Sequence, residues 1–154
     1  MRKMLLSFRA DVFERIKSGE KIYEHRKVFP NEPIEAYLYV SSPIQCITGK
    51  LILSNRIEIA DWKEKYKHDK KAVERIDNYL KTQKYAMEIQ QYIETNSIPL
   101  STLRADLDKF IVPQMYYYLD DTNLLEYLNQ NLFETGHRIR HDFSQIESDQ
   151  ICVH

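Results

Sequence analysis

The sequence predicts an α+β domain, a small mixed-sheet barrel flanked by helices. Three observations carry that expectation. Segments rich in β-branched and aromatic residues alternate with segments of helical periodicity. The gaps between the strand-like segments are irregular, which excludes a regular βαβ repeat. Glycine is scarce: Gly19, Gly49 and Gly136 are the only three in 154 residues, and no two are close. A P-loop or a GxGxxG dinucleotide turn needs clustered glycines to bring backbone N–H groups onto phosphates, so both are excluded. A chain of this length corresponds to about one domain.

The elements follow in order. Residues 4–8 read as a short strand. Residues 11–17 place Val12, Phe13 and Ile16 on one helical face, and Gly19 is the expected left-handed residue that ends the helix. Residues 21–28 alternate, with Ile22, Glu24, Arg26 and Val28 on one side and Tyr23, His25 and Lys27 on the other. After a Pro30–Pro33 loop, residues 34–40 form a strong β-segment closed by Ser41-Ser42-Pro43. Residues 47–59 predict another strand, bulged at Gly49 and bent at Ser54-Asn55. Residues 61–80 predict one helix with Asp61 as N-cap. Residues 84–94 return to alternation, residues 99–107 predict a short helix, and Asp120-Asp121-Thr122 cap a last helix over 123–132. Beyond Gly136 the chain is polar and weakly patterned. The domain is therefore expected over residues 1–133, with a polar tail over 134–154.

The first apolar run is too short for a signal-peptide core, and no stretch approaches the ~18 apolar residues of a membrane span. Two cysteines, Cys46 and Cys152, are too few for a disulfide framework. A soluble cytoplasmic protein with free thiols, and no membrane partner, is expected.

The net charge of −1 hides a gradient. Residues 1–30 hold eight Lys/Arg against four Asp/Glu, and residues 61–84 hold eight against five. Residues 85–135 hold two against eight. Such a distribution can present one positive face to an anionic partner, or it can reflect well-solvated lysine-rich helices. The acidic third quarter also leaves open a basic protein partner for the C-terminal half.

The densest chemistry lies in residues 19–27. Glu24 and Arg26 share a strand face, and an inward carboxylate beside an inward guanidinium must be paired. The pair fixes both side chains and leaves guanidinium donors for a phosphate or a base edge. Strict alternation puts Lys21 on the opposite face; if Lys21 still belongs to the turn, it swings to the same mouth. Desolvated there, it would lose basicity and could act as base or nucleophile. An ion pair closing the barrel, with Lys21 on the surface, accounts for the same residues without a site.

Leu5-Leu6-Ser7-Phe8, followed by Ala10, Phe13, Ile16, Gly19, Lys21, Glu24 and Arg26 at their spacings, resembles the ASCH domain of the PUA-like superfamily. Further segments resemble it in order: residues 37–43, 47–51, 85–89, Ile98-Pro99-Leu100 with Leu103, and Pro113-Gln114-Met115 with Tyr118-Leu119. The resemblance spans about residues 4–119. It implies a PUA-like β-barrel with a cleft lined by Lys21, Glu24 and Arg26 that binds RNA or a nucleotide-like ligand. One compact branch of the family hydrolyses N4-acetylcytidine with a lysine, a threonine three residues later and a glutamate from a later helix. Here Lys21 stands at the lysine, Glu24 occupies the threonine position, and Glu64 and Glu74 lie on the later helix. The longer branch, which carries the Pro-Gln segment, is described as an RNA-binding or regulatory module, and this sequence sides with it.

Ser41, Ser42 and Gln114 are candidate rim residues, able to offer hydroxyls or an amide to a phosphate or a base edge. Tyr116, Tyr117 and Tyr118 offer either a stacking face or core. His137 and His141 are four apart with Cys152 and His154 nearby, yet the segment lacks a helix pattern, so no metal and no cofactor are expected. The leading expectation is a ligand-binding module; the alternative is a nucleoside amidohydrolase with Lys21 and Glu24 as catalytic groups.

Overall fold

The computed structural model describes residues 1–154. A seven-stranded mixed sheet curls into a half-barrel, flanked by five α-helices. The strands are β1 (Arg2–Phe8), β2 (Tyr23–Arg26), β3 (Ile34–Val40), β4 (Cys46–Glu58), β5 (Tyr85–Pro99), β6 (Tyr116–Tyr118) and β7 (Glu134–Arg140). They run in the order β2-β5-β4-β3-β1-β6, with β7 also pairing β5. Only β1 and β3 are parallel. The helices are α1 (Ala10–Lys17), α2 (Asp61–Lys65), α3 (Lys70–Leu80), α4 (Leu100–Asp106) and α5 (Asn123–Asn131).

The period-2 pattern explains why the sheet is buried on both faces. Along β1 and β3, Met4, Leu6, Phe8, Ala36, Leu38 and Val40 enter the main core with Phe13 and Ile16 of α1. The intervening Leu5, Tyr37 and Tyr39 enter a second core under α4 and α5. A third cluster joins Tyr23 of β2 to Trp62 and Ile76 of α2 and α3, and it also takes in Ile151 and Cys152.

Two expectations need correction. The helix over 61–80 is broken, because Asp69 caps a new helix by accepting from the N–H groups of Lys71 (3.1 Å) and Ala72 (3.2 Å). Asp61 is the first residue of α2, and Ala60 precedes it without a side-chain cap. Residues 134–154 are an integral layer. Glu134–Arg140 form β7, and the following loop returns Ile151 and Cys152 to the interior with 0% and 2% exposure. Polarity hid this strand, because every residue of it but Ile139 is exposed.

The bulge at Gly49 is present. The β4–β5 register shifts between Thr48 and Lys50, and Gly49 has φ +84°. A Cβ there would lie 2.9 Å from Cε1 of Tyr92, a ring with 1% exposure. Gly49→Ala should lower stability by about 1–3 kcal/mol through strain and overpacking. Gly136→Ala isolates the backbone part, since φ is +96° but nothing lies within 4 Å. Thermal unfolding of both variants checks this. An equal loss in both would show that crowding by Tyr92 contributes nothing.

Candidate functional site

The site begins with a helix end. Ser18 closes α1, and Gly19 follows in the left-handed region at φ +85°, where a side chain is strained. The turn brings the Lys21 N–H onto the Arg15 carbonyl at 2.9 Å. Strand pairing starts only at Tyr23, so Lys21 belongs to the turn and joins Glu24. Lys21 is 3% exposed, Glu24 6% and His25 8%. Three ionisable groups thus lie buried within five residues.

They help line a cleft of about 570 Å³, together with Ser7 and Phe8 of β1, Arg15 of α1 and Tyr79 near the end of α3. Five cations line it, Arg9, Arg15, Lys21, Arg26 and Lys27, against the single carboxylate of Glu24. All five come from the basic segment at 1–30, whereas the segment at 61–84 contributes only the neutral Asn78, Tyr79, Thr82 and Gln83.

Arg26 Nε lies 3.8 Å from Glu24 Oε1, and its Nη2 donates to the Ser7 carbonyl at 3.1 Å. Glu24 Oε1 also accepts from the His25 backbone N–H at 3.0 Å. Lys21 Nζ donates to the main-chain oxygen of His154 at 2.6 Å. Burial lowers the Lys21 pKa; Glu24 opposes that shift, and the charges of Arg15 and Arg26 add to it. Burial, with Lys21 nearby, drives His25 down to about 3, so its imidazole is neutral at ordinary pH. The Tyr79 ring meets His25 edge-on at 4.8 Å and steadies it.

Three of the four buried side-chain polar atoms that lack a hydrogen-bond partner belong to this cleft: Arg15 Nε, Glu24 Oε2 and His25 Nε2. Each such atom costs roughly 1–3 kcal/mol, so native structures keep few. Here the three side chains that carry them line one cleft, with the atoms themselves closed to water.

The expected rim is placed differently. Ser41, Ser42 and Gln114 do not line the cleft. The Ser41 N–H is taken by the Phe8 carbonyl at 2.9 Å, and the neighbour of Gln114, Met115, reaches the cleft instead. Glu64 faces solvent beside Lys67 and Glu74 is exposed, so neither joins Lys21. Tyr116 and Tyr118 pack against the main core and Tyr117 against the second. His137 lies in β7 and His141 beyond it, so their spacing is not that of a helix face. Sequence reasoning missed Arg15, His25 and Tyr79. Arg15 lies on the helix flank facing the turn, and strict alternation puts His25 on the face opposite Glu24.

The fold has counterparts among solved structures. The ASCH protein from Zymomonas mobilis superposes with a TM-score of 0.61 at 17% identity, covering 86% of this chain and 96% of that one. A serine-to-alanine variant of that protein gives 0.63 at 17% identity, covering 84% and 96%. The fold is that of ASCH domain proteins. No family model matches the sequence, and no curated protein matches it. No helix is long and apolar enough to cross a membrane.

The neutral His25 has a measurable consequence. In the unfolded chain it titrates near its ordinary value of 6.5, but in the folded chain only near 3. Between those values the unfolded state binds the extra proton, so this residue's contribution to stability is lost as pH falls from about 6.5. One proton corresponds to about 1.4 kcal/mol per pH unit. His25→Gln should flatten the stability–pH slope between pH 6 and 4 relative to wild type, as read by urea unfolding. An unchanged slope would place His25 in water.

Proposed function

We propose that this ASCH-fold domain binds RNA or a nucleotide-like ligand in the cleft of Lys21, Glu24 and Arg26. The observation that supports it most is the set of unpartnered polar atoms under a ring of cations. Glu24 Oε2 accepts an N–H from a base edge. Arg15 Nε donates to a ring nitrogen or carbonyl, and the neutral His25 offers one donor and one acceptor nitrogen. Lys27, exposed and free of an acidic partner, neutralises phosphate with Arg15. Arg26 holds Glu24 in register and keeps guanidinium donors toward the cleft.

Affinity should then fall steeply with salt. Fluorescence anisotropy with a labelled RNA pool at low salt is the test. Lys27→Ala should reduce the slope of log affinity against log salt by about one. Arg26→Ala should weaken binding roughly tenfold, because it also releases Glu24. No binding at low salt, or wild-type binding by Arg26→Ala, would end this reading.

A second reading is favoured by one observation, the depressed basicity of Lys21 beside a carboxylate with a free oxygen. That pair suits amide hydrolysis on a modified nucleoside such as N4-acetylcytidine, with Lys21 activating water and Glu24 moving the proton. Chromatography after incubation with N4-acetylcytidine separates the readings: turnover that disappears in Lys21→Ala supports the enzyme, and no turnover by wild type removes it.

A further inference from the structure

The oxygen that occupies Lys21 comes from the chain itself. Lys21 Nζ makes one hydrogen bond, to the main-chain oxygen of His154. His154 and His25 line both the large cleft and an adjoining cavity of about 300 Å³ that contains Gly19, Glu20 and Tyr23. His154 therefore stands at the boundary between two spaces that meet at His25.

The attachment of this segment changes abruptly along its length. Up to Cys152 it is anchored. Ser148 Oγ donates to Asp69 at 2.6 Å, Arg75 donates to the carbonyls of Ser148 (2.6 Å) and Ile151 (3.3 Å), and Ile151 and Cys152 are buried in the third core. Past Cys152 one firm contact remains, the 2.6 Å bond from Lys21 to the His154 main-chain oxygen. Val153 is 39% exposed, and the imidazole of His154 meets Glu20 at 3.3 Å in a solvent-exposed pair, a contact that holds weakly in water. A packed base followed by a short stretch held only at Lys21 and Glu20 is the construction of a strap.

We propose that residues 153–154 are a displaceable strap that closes the cleft by placing a main-chain oxygen on Lys21, and that an anionic ligand oxygen takes its place. The amine can satisfy either acceptor from the same buried position. Opening requires only release of the Lys21 and Glu20 contacts and leaves the Asp69 and Arg75 anchors intact. It also joins the two spaces into one larger cleft. A strap closed for nine-tenths of the time lowers the apparent ligand affinity about tenfold. Displacement by a nucleotide rests on the function proposed above, whereas the gating of Lys21 does not.

The test is the acetylation rate of Lys21 by trace acetic anhydride, read by mass spectrometry with the other lysines as internal controls. Three proteins are compared: the full chain, the full chain carrying Glu20→Ala, and a chain ended after Cys152 that keeps the buried anchor. Thermal unfolding confirms that each is folded. Lys21 labelling should rise about tenfold in the shortened chain and partway in Glu20→Ala. Cytidine monophosphate should protect Lys21 and bind the shortened chain about tenfold more tightly. Labelling in the shortened chain no faster than in the full chain overturns the strap, as does weaker nucleotide binding, which would make His154 part of the binding surface. Faster labelling with no nucleotide bound by any of the three supports the strap and overturns the nucleotide reading alone.

Discussion

The burial of an amine, a carboxylate and an imidazole within five residues is the constraint around which this fold is arranged. Charges and polar groups taken out of water must find partners, or their protonation shifts. Each neighbouring element answers part of that demand. The β1 backbone offers Ser7 to Arg26, Arg26 faces Glu24, and the chain returns from β7 to lay His154 on Lys21. Glu24 Oε2, Arg15 Nε and His25 Nε2 remain unanswered by the protein. A site is the part of such a network left open.

The half-barrel makes this arrangement affordable. Its sheet is buried on both faces, with one core under α1 and another under α4 and α5. The third cluster, built on Tyr23 and Trp62, fastens β2 and the C-terminal segment to α2 and α3. Tyr23 meets Trp62 at 5.2 Å and Phe143 at 5.3 Å, so the strand carrying Glu24 and His25 is packed from behind by the same segment that supplies the strap. Rigidity at the cleft and the contact on Lys21 have a common origin.

Much of the fold was legible because period and punctuation agree. Gly19 ends α1, the aromatic and β-branched segment 34–40 is β3, and Gly49 marks a bulge. The strand over 84–94 extends to Pro99, since Thr95 and Ser97 look like loop residues but pair across the sheet with the Gly49 N–H and the Thr48 hydroxyl. β7 was illegible because a solvated edge carries no apolar alternation. At the cleft, Glu24 and Arg26 were readable as sharing a strand face, and Lys21 only through the alternative that it belongs to the turn. The rim was not: Arg15 reaches the cleft because α1 packs across it, and Ser41, Ser42 and Gln114 miss it through the course of their loops. Such placements depend on contacts distant in sequence, which local pattern does not encode.

Side-chain NMR of the folded chain during titration with cytidine monophosphate measures the convergence of these groups most directly. The Nε of Arg15, the carboxyl of Glu24 and the ring nitrogens of His25 should shift together and saturate at one common ligand concentration. Shifts confined to the exposed lysines of α2 and α3, with those three groups silent, would mean that the buried cluster is an internal ion network and that the cleft holds no ligand.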